Sequence, residues 1–157
     1  MTKEDLLYTD VETATNIGFD VHGVLDSFPL QPLLKELVDK GFVIHILSGP
    51  SKQQVESELL ELGYIPEVHF HYLFSVVDYL KAEKVKMWQD EKKRWWAEEE
   101  NWWKSKGTYC KMMHCEYLFD NSIKYKKYMP PPTNFICIIN EESVANMMDL
   151  LKSFLIE

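Results

Sequence analysis

Six residues stand where this chain could do chemistry: Asp20, His22, Ser48, Gly49, Asp120 and Asn121. Each lies at or just past the end of a short apolar run, in FDVHG, VIHILSG or EYLFDN. Buried strands end at such places, so all six are expected at the carboxyl ends of strands. Paired carboxylates suit a hard cation with oxygen ligands. A hydroxyl just before a helix start suits an anion. Two carboxylates, a hydroxyl and a helix N-terminus thus gather on one edge, where α/β sheets bind ligands. Taken singly, each residue has a plainer reading. Asp20 and the Asp120-Asn121 pair could be turn formers. Ser48 could be a helix cap. Lys106, which lies between Lys104 and Lys111, could belong to a solvated face.

The elements that would position these residues follow from periodicity. Residues 16–21, 42–47, 67–74, 116–119 and 134–139 read as strands. Leu30, Leu33, Leu34, Leu37 and Val38 recur at helical spacing up to Gly41. Pro50 suits the first position of a helix over 51–62, which buries Val55, Leu59 and Leu62 and stops at Gly63. A short helix is expected over 75–84. A β-hairpin is expected at about 85–97, then a helix to about 114. Asn140 can cap a last helix with an acidic first turn and an apolar face of Val144, Met147, Met148, Leu151, Phe154 and Leu155. Strands alternating with helices predict one α/β domain over 1–157, a Rossmann-like, mostly parallel sheet with helices on both faces.

FDVHGVLD resembles the first motif of the haloacid-dehalogenase-like (HAD) superfamily, VIHILSG the second and YLFDNS the fourth. Lys106, fourteen residues before Asp120, is similar to the third, a lone Lys. The resemblance spans about residues 16–140, most of the chain. WWKSKGTYC and EYLFDNSIKY also resemble a group of small phage and bacterial HAD-like proteins. What the resemblance implies is a Mg²⁺-dependent phosphohydrolase, capless or minimally capped, acting on a small phosphorylated metabolite or nucleotide. By resemblance, Asp20 attacks phosphorus and forms an aspartyl-phosphate. Asp20, Asp120, the His22 carbonyl and Asn121 would surround Mg²⁺. Ser48 and Gly49 would grip the phosphate, and Lys106 would neutralise both nucleophile and phosphate.

Two positions depart from the motifs. His22 stands where family phosphatases have the Asp that protonates the leaving oxygen and then activates water. Imidazole can do both. Asn121 replaces the second acid of the fourth motif. These departures leave open an alternative: a catalytically weak HAD-like domain that binds a phosphate ligand or a protein partner.

Composition narrows the classes further. The chain has 157 residues, 46% apolar and 27% charged, with a net charge of −8. The acidic balance argues against duplex nucleic acid as a partner. No apolar run is long enough to span a membrane. MTKEDLLYTD is unlike a signal peptide, so a cytoplasmic location is expected. The three cysteines match no zinc or disulfide framework. His69 and His71 are expected on one face of the third strand, and His45 in the core. All five Trp residues fall in an insert at about 85–105. They could pack a small core, form a homodimer or partner surface, or stack on a substrate ring.

Overall fold

The structure is a computed structural model that describes residues 14–156. The N-terminal segment MTKEDLLYTD lies outside the described residues. The elements are β1 (Asn16–Phe19), α1 (Gln31–Asp39), β2 (Val43–Ser48), α2 (Lys52–Leu62), β3 (Tyr72–Ser75), α3 (Val76–Ala82), β4 (Met87–Gln89), β5 (Trp95–Ala97), α4 (Glu99–Met112), β6 (Cys115–Asp120), β7 (Asn134–Cys137) and α5 (Glu141–Ser153). A helical turn, Val21–Leu25, follows β1, and a 3₁₀ turn, Ile123–Tyr128, follows β6.

Five strands make one sheet in the order β3-β2-β1-β6-β7. Every neighbouring pair is parallel. This is a Rossmann-like α/β fold. Alternation along the strands sends Ile17, Phe19, Ile44, Ile46 and Phe119 to one face, against Leu34 and Leu37 of α1, Val55 and Leu59 of α2 and Met147 and Leu151 of α5. Leu47 and Leu118 face the other way, against α3 and α4. Both faces are therefore covered, which explains strands of continuous apolar character.

Parallel strands place all carboxyl ends on one edge. From β1 the chain winds outward to β2 and β3, then returns to β6 on the other side of β1. The order reverses between β1 and β6, the place where such sheets form a ligand crevice. The register pairs Phe19 with Phe119, so Asp20 and Asp120 leave the sheet side by side.

Several boundaries differ from those expected. β1 ends at Phe19 because Asp20 turns the chain into the helical turn. The third strand begins only at Tyr72. Before it, His69 and His71 serve the backbone: the Nδ1 of each accepts an N–H, from Ile65 at 2.9 Å and Ile44 at 3.0 Å. They are not a pair on a strand face. Helix α2 is capped by Ser51, whose Oγ accepts from the Gln54 N–H, so Pro50 lies before the helix rather than at its first position. At the last helix Asn140 is the expected cap, and Ser143 completes a reciprocal capping box with it.

The aromatic insert divides. Its hairpin, β4 and β5, pairs Trp88 with Trp96, while Trp102 and Trp103 belong to α4. Trp102 is buried in the second core, and Trp95, Trp96 and Trp103 pack against that core. Trp88 remains exposed. Four of the five rings thus pack in or against that core, as the small-core reading expects.

Candidate functional site

Three charged side chains meet at the switch point. Lys106 lies on α4 and is buried. Its Nζ donates to Asp120 Oδ2 at 2.6 Å and to Asp20 Oδ1 at 3.3 Å. Asp120 Oδ1 accepts the Ser122 N–H at 2.9 Å, which fixes the carboxylate at the end of β6. Asp20 Oδ1 also accepts the Val21 N–H at 2.9 Å. The Asp20 backbone N–H donates to the Phe119 carbonyl and ties the two strand ends together. Asp20 Oδ2 accepts no hydrogen bond among the described residues.

The cluster holds two acids and one base, all buried. Burial pushes the Asp20 carboxyl up to about 7; Lys106 opposes this shift and Asp120 adds to it. Burial also penalises the ammonium of Lys106, but the carboxylates of Asp120 and Asp20 outweigh that cost and hold its pKa above the ordinary lysine range. Beneath the ammonium lies the Tyr125 ring, with Nζ 4.4 Å from its centroid. Burial pushes the Tyr125 phenol up to about 12.

Two glycines let the site close. Gly23 has φ +86, and a Cβ there would collide with the Asn121 carboxamide, so the loops after β1 and β6 can touch only without a side chain. At Gly107 a Cβ would strike the Tyr128 carbonyl. The 3₁₀ turn therefore lies directly on α4 and delivers Tyr125 to Lys106.

Ser48 and Gly49 occupy the end of β2 on the same sheet edge. The Ser48 hydroxyl is buried and is the one buried side-chain polar atom without a partner among the described residues. Gly49 lies beneath the Trp102 ring, 3.3 Å from where its Cβ would stand. The start of α2 beyond is partly used already: Asp78 Oδ2 accepts the Lys52 N–H at 3.0 Å, and Ser51 caps Gln54.

The His22 imidazole does not join the buried cluster. Its Nε2 lies 2.7 Å from Glu58 Oε2 of α2, and its side chain is 47% exposed. The structure thus brings together Asp20, Lys106 and Asp120, sets Asn121 against Gly23, and gives His22 a different partner. Glu58, Asp78 and Tyr125 escaped the sequence reading, as did the seat of Trp102 over Gly49. Each acts through a contact with a residue distant in the chain, and no local spacing announces it.

No group of three or more His, Cys, Asp or Glu side chains suited to a metal occurs among the described residues. The donors present, two carboxylates, are oxygen ligands of the type Mg²⁺ takes in ones or twos while keeping several waters. No helix among those residues is long and apolar enough to cross a membrane. Searches of protein-family models and of curated proteins found no match to this chain.

Proposed function

We propose that the protein is a HAD-like phosphohydrolase, a Mg²⁺-dependent phosphomonoesterase of small phosphorylated molecules. One observation carries the reading: the Lys106 ammonium bridges Asp20 and Asp120, three residues far apart in sequence, at the topological switch point. A buried ion cluster of this kind is a costly way to hold a fold together. It is well suited to phosphoryl transfer, which needs fixed positive charge beside an anionic nucleophile. The unpartnered Ser48 hydroxyl supports the reading, since a phosphate oxygen is a natural acceptor for it.

The chemistry assigned to the chain is a double displacement. An Asp20 carboxylate oxygen forms a bond to phosphorus as the ester P–O bond breaks. The departing oxygen takes a proton from the His22 imidazole. Water then attacks the aspartyl-phosphate, gives its proton to His22, and releases phosphate. Lys106 holds the Asp20 carboxylate and balances charge throughout. Glu58 holds the imidazole through Nε2 and leaves Nδ1 for proton transfer. Asp20 and Asp120, with the His22 carbonyl and the Asn121 carboxamide, would hold Mg²⁺, which when bound supplies positive charge to the phosphate oxygens.

A second reading, a HAD-like domain that binds a phosphate ligand with little turnover, is favoured by two observations. His22 is paired with Glu58, and Asp78 sits at the α2 start where an anion would bind. The deciding experiment is a phosphate-release screen over a panel of monoesters, with and without Mg²⁺. Mg²⁺-dependent release from at least one ester supports the hydrolase. Phosphate binding without release supports the second reading.

A further inference from the structure

A cavity beside the carboxylate site bears on the part of a substrate that the site itself does not hold. It is open to solvent and has a volume of about 660 Å³, ample for a small molecule. Gly23, three residues past Asp20, and Asn121, next to Asp120, form its near wall. The other walls come from the end of β7 and the start of α5, with Ile138, Val144 and Ala145, and from Phe28. Ile138 is buried and Phe28 and Val144 are half-buried, so the apolar wall is anchored in the main core.

Charge restricts what can enter. No Lys, Arg or His lines the cavity, and Glu141 is its one ionisable residue. The α5 N-terminus is no anion site, because Asn140 and Ser143 cap it and Glu141 and Glu142 already complement its dipole. A second phosphate or a carboxylate here would face Glu141 with no counter-charge. An uncharged ring instead gains apolar burial against Phe28, Ile138 and Val144.

We infer that this cavity receives the alcohol half of the ester, and that this alcohol is uncharged and ring-bearing. The inference rests on the phosphohydrolase reading and adds a substrate class to it: ring-bearing monophosphates are selected over bisphosphates and polyphosphates, and over esters of small open-chain alcohols.

The test uses phenyl phosphate and glycerol 1-phosphate as probes, with the wild type and Ala145→Trp. Ala145 is exposed on α5, so a Trp there fills the cavity without removing a core contact. The wild type is expected to prefer phenyl phosphate. Ala145→Trp is expected to lower kcat/KM for phenyl phosphate at least about tenfold and to leave glycerol 1-phosphate within about twofold. Methyl NMR of Ile138 and Val144 reads binding without turnover, and phenyl phosphate alone is expected to shift these signals. Shifts abolished by Ala145→Trp, with neither ester hydrolysed, would uphold the subsite and reject the hydrolase. Hydrolysis of phenyl phosphate unchanged by Ala145→Trp would overturn the subsite and leave the hydrolase standing. Absence of methyl shifts with phenyl phosphate overturns the subsite whatever the turnover.

Discussion

Lys106 and Asp120 lie fourteen residues apart in the chain, and their side chains meet at 2.6 Å in a place closed to solvent. Helix α4 and strand β6 lie between them, and the turn from one to the other folds the ammonium back over the strand end. Removing Lys106 leaves two buried carboxylates facing each other. Lys106→Met should therefore cost about 3–5 kcal/mol in urea unfolding, as loss of one partner of a buried pair does. A Lys106→Met/Asp120→Asn double variant should recover part of that loss. Lys104→Ala and Lys111→Ala remove exposed side chains and should change neither stability nor phosphate release.

Gly107 sets the distance between α4 and the turn that carries Tyr125. Gly107→Ala should push the Tyr128 carbonyl away and cost about 1–3 kcal/mol, the usual range for overpacking. Activity should fall further than stability explains, because Tyr125 then no longer seats the Lys106 ammonium. Thermal unfolding and phosphate release on the same preparation separate the two effects.

His45 predicts how stability depends on acid. Burial, with a smaller contribution from His71, pushes its imidazole down to about 3. Its neutral form is held between Asn16 Oδ1, which accepts from Nε2–H, and the Tyr109 hydroxyl, which donates to Nδ1. The unfolded chain binds this proton near the ordinary histidine pKa and the folded chain does not. This contribution is complete above about pH 6.5 and is lost as pH falls toward 3. Between pH 7 and 5 it amounts to about 2 kcal/mol. Urea midpoints should fall more steeply over that interval in the wild type than in His45→Gln. Equal slopes would show that His45 does not drive the dependence.

His22 and Glu58 carry the prediction that separates turnover from mere binding. If His22 transfers the proton, His22→Ala should lower kcat about 10²-fold or more. Glu58→Gln should lower it less, with KM nearly unchanged, since it only loosens the ring. A wild-type rate in His22→Ala would make the pair a clasp between the β1 loop and α2.

Much of this was legible in the residues themselves. The apolar runs before Asp20, Ser48 and Asp120 marked three strands and, to within about two residues, their ends, and Asn140 is the cap it was expected to be, although the Ser143 half of its box was not foreseen. The resemblance set Lys106 beside Asp20, which it does contact, but its shorter bond, to Asp120, was not expected. The 67–74 segment misled because His69 and His71 alternate with apolar residues as in a strand, yet they bind backbone N–H groups ahead of it. Glu58 and Asp78 were invisible, since both look like ordinary helix acids until α2 meets the turn after β1 and the start of α3. The pairing of Trp102 with Gly49 was equally hidden, because a glycine gives no sign of the ring that will cover it.

The central claim, that Asp20 is the nucleophile, has a direct measurement. The wild type and Asp20→Asn are mixed with a ³²P-labelled ester found in the screen, in Mg²⁺, and quenched in acid within one turnover. Label that hydroxylamine releases is expected on the wild-type protein, and none on Asp20→Asn. Hydrolysis by the wild type with no label on the protein at any time, or equal label on a folded Asp20→Asn, would contradict it.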